Sequence, residues 1–133
     1  MSSTVVPETS LPVSSDHKRV VVAEELGYCW GVRRAVDIIS ASAVADGPVA
    51  PVGDIIHNPQ VVLRLREIGV EGAESVEQAK ERGFSRVAIT AHGMGPHLAL
   101  EAAARDMQLI DTTCPLVTKV QRLAQKLVRQ GYY

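Results

Sequence analysis

The sequence predicts an α/β fold in which a parallel four-stranded sheet is flanked by helices. Short runs rich in β-branched residues alternate with longer stretches whose apolar residues recur at intervals of three and four. This alternation is typical of strands that are each followed by a covering helix. The chain has 133 residues, of which 46% are hydrophobic, a size that suits one domain with its own core.

The first predicted strand covers residues 19–23, which contain three consecutive valines. A loop over 24–31 separates it from a helix that begins at about Val32 and stops before Gly47 and Pro48, residues that end helical patterns. The apolar residues of this helix share one face: Val32, Ala35, Val36, Ile39 and Ala43.

A second predicted strand, residues 49–52, leads through a turn over 53–59 into a helix that Gly69 stops. Ser75 and Gln78 then fit a capping box, because the serine accepts from a backbone amide three residues on while the glutamine reaches back. This pair predicts a further short helix.

The third predicted strand covers residues 86–90 and is followed by the turn 91–95 and a helix. The fourth covers 108–110 and leads through the turn 111–114 into a helix opened by Pro115. That last helix has the clearest amphipathic pattern. Its apolar stripe is Leu116, Val117, Val120, Leu123, Ala124, Leu127 and Val128.

Charge and composition exclude several classes of protein. The formal net charge of −1 argues against nucleic acid or an anionic membrane as a partner, since both require a basic surface. No apolar run approaches the roughly 20 residues of a membrane span. Residues 1–18 mix Ser, Thr and Pro without the features of a secretory signal, and we expect a disordered tail and a cytoplasmic protein. The two cysteines are therefore expected to be free thiols or ligands instead of a disulfide.

Each of the four predicted strand-to-helix turns contains one residue that can bind a metal or carry a proton. These residues are Cys29, His57, His92 and Cys114. In an open parallel sheet such turns meet at the carboxyl edge, where helix N-termini favour anions. We therefore expect two thiols and two imidazoles on the same side of the sheet, forming a candidate site.

The two thiols also have a purely structural explanation, because a lone cysteine is usually a small buried apolar residue. The residues next to each cysteine nevertheless favour a functional role. Cys29 lies between Gly27 and Gly31, which let the backbone bend or approach a ligand closely. Cys114 precedes a helix opened by proline, whose dipole favours the thiolate.

The histidines and basic residues are less specific. A single turn histidine such as His57 or His92 commonly bonds to local backbone, and His17 and His97 are assigned no role. Three basic residues lie within the first turns of helices that start at the candidate site. The two arginines are expected on a solvated face, and the lysine is the better candidate to face an anion. They are Arg33, Arg34 and Lys119.

Two cysteines 85 positions apart do not form a Cys-x-x-Cys metal motif. Thiolates supplied singly by separate loops suit an iron–sulfur cluster held inside a fold better than a small zinc module. The residues alone leave open an iron–sulfur site, no metal at all, or a reversible thiol pair, which would require Cα atoms within about 7 Å.

At these turns the sequence resembles a known family. The segments 27–35 (GYCWGVRRA), 53–61 (GDIIHNPQV), 90–93 (TAHG) and 111–120 (DTTCPLVTKV) together resemble the LytB/IspH family of 4-hydroxy-3-methylbut-2-enyl diphosphate reductases. Four motifs in the family's order and at similar spacing are specific, although each alone would be weak.

The resemblance implies an iron–sulfur enzyme of three similar α/β lobes around a 4Fe-4S cluster. It implies Cys29 and Cys114 as two cluster ligands, and His57 and His92 as residues that bind the substrate's diphosphate. It also implies reductive dehydroxylation of 4-hydroxy-3-methylbut-2-enyl diphosphate to isopentenyl and dimethylallyl diphosphate, in the non-mevalonate pathway. The implied electron donor is a reduced ferredoxin or flavodoxin-type protein.

Residues 19–133 correspond to the N-terminal lobe of such an enzyme, apparently truncated at the C-terminus. The third cysteine and the proton-relaying loop of the family belong to later lobes, so no catalytic residue is assigned here and the chain alone is expected to be inactive. The alternative is a stand-alone α/β module that binds diphosphates without redox chemistry.

Overall fold

The computed structural model describes residues 20–24 and 26–132. Helices and strands alternate along these residues, as the sequence predicts. Their order is α1 (Trp30–Asp46), β1 (Ala50–Val52), α2 (Pro59–Glu67), α3 (Val76–Glu81), β2 (Arg86–Ile89), α4 (His97–Ala104), β3 (Gln108–Asp111) and α5 (Pro115–Arg129). The tail predicted over residues 1–18 lies outside the described residues.

The sheet has three parallel strands in the order β1-β2-β3. Ala50 pairs with Val87, and Ala88 pairs with Ile110. Beyond the free edge of β1, the segment after α2 adds two parallel bridges, of which one joins Val52 to Ala73. The predicted parallel sheet flanked by helices is confirmed.

The predicted count of four strands is wrong. Val20, Val21 and Val22 form no strand in the described chain, and between 67% and 85% of each is exposed. Arg19, the first residue predicted for that strand, lies outside the described residues. A run of valines has the propensity for a strand, but a strand also needs a neighbour that pairs with its backbone.

Two layers of apolar side chains cover the two faces of the sheet, because successive residues of a strand point to opposite sides. Val87 and Ile89 of β2 pack with α3 and α4, whereas Ala88 between them packs with α1 and α2. The cluster on the α1 side is Ile39, Ala43, Val49, Ile55, Leu65, Val70 and Ala88.

A buried arginine connects β2 to the end of α1. Arg86 is 5% exposed, and its Nη1 donates to the carbonyl oxygens of Ser42 at 3.0 Å and Gly47 at 2.8 Å. Its Nε donates to Gln108 Oε1 at 3.0 Å. These bonds tie the central strand to the end of α1 and supply a donor to the carbonyl of its C-cap residue, Gly47.

The capping box predicted for α3 is confirmed in its forward half. Ser75 Oγ accepts from the backbone amide of Gln78 at 3.1 Å. Gln78 Oε1 accepts from the amide of Glu74 at 2.9 Å, one residue before the position expected for a capping box.

The last helix, α5, contributes no buried residue to this core. Its exposed apolar residues are Leu116, Val120, Leu123, Leu127 and Val128. In the part of the chain that the structure describes, no helix is long and apolar enough to cross a membrane.

Candidate functional site

The candidate site lies at the carboxyl edge of the sheet. His57 follows β1, His92 follows β2 and Cys114 follows β3, as parallel strands require. Cys29 reaches this edge by another route, since it immediately precedes α1 and no strand lies before it in residues 20–24 and 26–28. The start of α1 contacts Cys114, and this contact places the first thiol.

Cys114 is held through its backbone. Its N–H donates to the carbonyl of Ala91 at 2.9 Å, and the N–H of Thr112 donates to Ile89 at 3.2 Å, so the pairing of β2 with β3 continues past both strands. The Thr112 hydroxyl, fully buried, also donates to the Ile89 carbonyl. Cys114 itself is 8% exposed. Because Ala91 precedes His92, these bonds join the third and fourth turns.

Cys29 and Cys114 occupy equivalent positions on two helices. Cys29 is the N-cap of α1 and Cys114 is the N-cap of α5, and neither side chain makes a capping hydrogen bond. The Cys29 carbonyl accepts from Arg33 N–H at 3.1 Å, and the Cys114 carbonyl accepts from Thr118 N–H at 3.0 Å. The structure has no disulfide between the two cysteines, and Cys29 is exposed whereas Cys114 is buried.

The two helix starts meet at Gly31. A Cβ placed on this glycine would lie 2.6 Å from Cys114 Sγ and 2.9 Å from Cys114 Cβ. Since Cys29 precedes Gly31 by two residues and each Cα step spans about 3.8 Å, the Cys29 Cα lies within about 12 Å of Cys114 Sγ. The chain therefore brings together thiols that are far apart in sequence.

His92 belongs to the same arrangement through the glycine that follows it. Gly93 has φ +74, and a Cβ placed there would lie 3.0 Å from Thr113 Cγ2 and 2.8 Å from Gln121 Nε2. The third turn therefore packs directly on the start of α5. The His92 side chain is exposed at this edge.

His57 is set apart from the other three residues. Its side chain is 80% exposed, and its Nδ1 lies 3.4 Å from Asp54 Oδ2 within the same turn. Asn58 caps α2, its Oδ1 accepting from the amides of Gln60 at 3.0 Å and Val61 at 3.3 Å. No hydrogen bond or ion pair between described residues joins His57 to the other turns, so its place in the site rests on topology alone.

Arg34 differs from its expected position on a solvated face. It is half-buried, and its Nη1 donates to the Thr113 carbonyl at 3.4 Å, next to Cys114. With Lys119 and Arg122 it lines an open cavity of about 390 Å³. The sequence places Arg34 near the start of the helix that follows Cys29. This position alone does not show whether the side chain contacts the protein or points into solvent.

The donors at this edge do not complete a metal site by themselves. Among the residues that the structure describes, no group of three or more His, Cys, Asp or Glu side chains could hold a metal ion. Cys29 and Cys114 supply two thiols at helix starts that contact each other.

The fold and the site define a class: an α/β lobe with a parallel sheet, whose carboxyl edge carries two thiols at helix N-caps and a histidine in the turn adjoining one of them. The sequence profile of the LytB protein family matches residues 20–133. The chain belongs to that family.

Similar proteins are named as 4-hydroxy-3-methylbut-2-enyl diphosphate reductases. Reductase 2 of Mycobacterium tuberculosis (strain CDC 1551 / Oshkosh) is 39% identical over 96% of this chain and 38% of its own length. The reductase of Anaeromyxobacter sp. (strain Fw109-5) is 39% identical over 86% of this chain and 40% of its own length. This chain thus spans about two fifths of the length of these relatives.

Solved structures agree with these matches. A structure of (E)-4-hydroxy-3-methyl-but-2-enyl diphosphate reductase, the terminal enzyme of the non-mevalonate pathway, has a TM-score of 0.69 at 35% identity, covering 86% of this chain and 40% of that one. The E-1-hydroxy-2-methyl-but-2-enyl-4-diphosphate reductase of Plasmodium falciparum also has a TM-score of 0.69, at 28% identity, covering 80% of this chain and 33% of that one.

Proposed function

We propose that this chain is the N-terminal lobe of a cytoplasmic 4-hydroxy-3-methylbut-2-enyl diphosphate reductase. The enzyme would remove the substrate's allylic hydroxyl as water, consuming electrons and protons, and give isopentenyl and dimethylallyl diphosphate. The observation that carries the proposal is the approach of Cys114 Sγ to the first turn of α1, which begins at Cys29. The names of the relatives supply the substrate.

The donor set fits part of an iron–sulfur cluster. Thiolates are the ligands of such clusters, and the chain offers two, each at a helix N-terminus where anionic ligands are favoured. Cys29 and Cys114 would hold a 4Fe-4S cluster together with a third cysteine from a later part of a longer protein. The cluster would supply electrons, received from a ferredoxin or flavodoxin-type donor, and a Lewis-acidic iron.

The histidines would bind the substrate's diphosphate. His92 lies beside the backbone that holds Cys114, so a diphosphate bound there would keep the rest of a small substrate near the thiols. Imidazole N–H groups form charge-assisted bonds to phosphate oxygens. His57 would bind the same group from the neighbouring turn, although the Asp54 carboxylate beside it opposes an anion.

The lobe needs the rest of a longer protein for turnover. The chain has two cysteines, and about three fifths of each relative's length lies outside the match. The uncovered apolar stripe of α5 is a second indication, since a contiguous exposed stripe marks an interaction surface. The 133-residue chain should therefore show no reductase turnover.

A chimera tests the proposal. Residues 20–133 replace the matching part of the M. tuberculosis reductase 2, and the purified protein is reconstituted anaerobically with ferrous iron and sulfide. We expect thiolate-to-iron absorption and conversion of 4-hydroxy-3-methylbut-2-enyl diphosphate. Cys29→Ser and Cys114→Ser should each lose the absorption and the activity.

The histidine variants separate substrate binding from cluster binding. In the chimera, His57→Ala and His92→Ala should keep the cluster and raise KM by about tenfold or more, the loss of a charge-assisted hydrogen bond. His97→Ala is the matched control and should leave KM unchanged. Turnover by the isolated chain, or wild-type KM values in both histidine variants, would contradict the proposal. Cluster-free protein that binds inorganic diphosphate through His92 would favour the stand-alone module.

A further inference from the structure

Gly31 is the second residue of α1 and is buried against Cys114. An added Cβ would meet two atoms of that cysteine at less than 3 Å, and the Cys114 Cα would be 4.0 Å away. No positive φ explains this glycine, since its backbone is helical. Among the described residues, the three atoms nearest to an added Cβ all belong to Cys114, so its close approach is the restriction that the structure shows at this position.

Helix propensity alone would favour alanine here, because glycine in a helix is less stable than alanine. The glycine lowers the stability of the first turn of α1 and lets that turn contact Cys114 directly. Cys29 and Cys114 are the N-caps of the two helices that meet here. The size of the side chain at position 31 therefore determines how closely the two N-caps approach each other.

We propose that Gly31 is a positioning residue that sets the separation of the Cys29 and Cys114 thiols. It acts through Cys114 and does not itself bind a ligand. The contact stands on the geometry alone, whereas its importance for a cluster rests on the function proposed above. A side chain at position 31 would force Cys114 Sγ away from α1 or push the start of α1 outward.

Thiol reactivity tests the contact in the 133-residue chain. Gly31→Ala is compared with Gly72→Ala, where a Cβ would meet only the Gly53 carbonyl oxygen at 4.0 Å. We expect iodoacetamide to alkylate Cys114 about tenfold faster in Gly31→Ala than in wild type, because overpacking displaces a buried side chain. Peptide mapping resolves Cys114 from Cys29. Unchanged reactivity in Gly31→Ala, or an equal rise in Gly72→Ala, overturns the proposal.

A rescue variant keeps the test decisive if Gly31→Ala alone folds poorly. Cys114→Gly removes both atoms that lie closer than 3 Å to the added Cβ. Gly31→Ala should lower Tm by about 5 °C in the wild-type chain and should not lower it in the Cys114→Gly chain. An equal fall in both backgrounds means that Cys114 is not the contact that matters.

The chimera separates this proposal from the proposed function. After reconstitution with ferrous iron and sulfide, Gly31→Ala should lose at least half of the thiolate-to-iron absorption, while Gly72→Ala retains it. Full absorption in Gly31→Ala overturns the positioning role. If even the wild-type chimera takes up no iron, the proposed function fails, and the alkylation and rescue results still decide whether Gly31 positions Cys114.

Discussion

The helices α1 and α5 begin in the same way but differ in how deeply they are buried. Each starts at a cysteine N-cap without a side-chain capping bond. Helix α1 then buries Gly31, Ala35, Ile39 and Ala43, whereas none of the 15 residues of α5 is buried. Local sequence therefore defines where both helices start, while their burial depends on what the rest of the chain provides.

The exposed face of α5 also has a distinctive charge. The helix contains no acidic residue, and its apolar stripe is accompanied by Lys119, Arg122, Lys126 and Arg129. An isolated helix of this length is marginal in water. This face is thus suited to an apolar surface with an acidic rim, and two copies of it would repel each other.

The largest expected effect concerns the anchor of α1. Arg86→Met should lower the free energy of unfolding by about 4 kcal/mol, because it removes every hydrogen bond that the buried guanidinium makes to the end of α1. Urea denaturation of the chain measures this change. Arg82→Met is the control: Arg82 is more exposed and bonds to Gly72 and Glu71, so its loss should cost about 1 kcal/mol or less. Equal costs would mean that the end of α1 does not depend on Arg86.

A matched pair of truncations compares the two helices directly. Ile39→Ala in α1 should cost about 3 kcal/mol, since it opens a cavity in a fully buried position. Leu123→Ala in α5, where the side chain is 54% exposed, should change the stability by about 0.5 kcal/mol or less. Thermal unfolding of both variants tests the difference. A large cost at Leu123 would show that α5 packs within this chain after all.

The smallest effect concerns the N-caps and has the opposite sign. Cys29→Ser should stabilise the metal-free chain by about 0.5 to 1 kcal/mol, because serine is a good N-cap residue at this exposed position. Cys114→Ser should not be stabilising, since Cys114 is buried and a hydroxyl there loses its solvent. Chemical denaturation under reducing conditions measures both. A gain in stability from Cys114→Ser, with none from Cys29→Ser, would contradict the exposure of Cys29 and the burial of Cys114.

The sequence predicted the parallel sheet and the five helices found in the described residues because their signals are local. Periodicity identified the apolar faces. The helix ends predicted from Ser75, Gly69 and Pro115 lie within about two residues of the observed ends. The prediction of the first strand was wrong for a physical reason. Residues 20–22 have strand propensity, but a strand also needs a neighbouring strand to pair with, which propensity does not describe.

The site was predicted as a set of turns but without its contacts. The alternation of strands and helices was enough to predict that His92 and Cys114 lie at the same edge of the sheet. The structure places them on adjoining turns. The contact between Gly31 and Cys114 was not predictable, because it depends on how two helix axes meet. Glycines around Cys29 indicated a close approach, but they did not reveal that the approaching group is the other cysteine.

The amide of Cys114 belongs to the same ladder of hydrogen bonds that holds β2 and β3 together. Its exchange with deuterated solvent should accordingly be as slow as that of the neighbouring strand amides. The position of Cys114 is thus coupled to the pairing of the two strands, whereas Cys29 lies outside that ladder and is exposed to water.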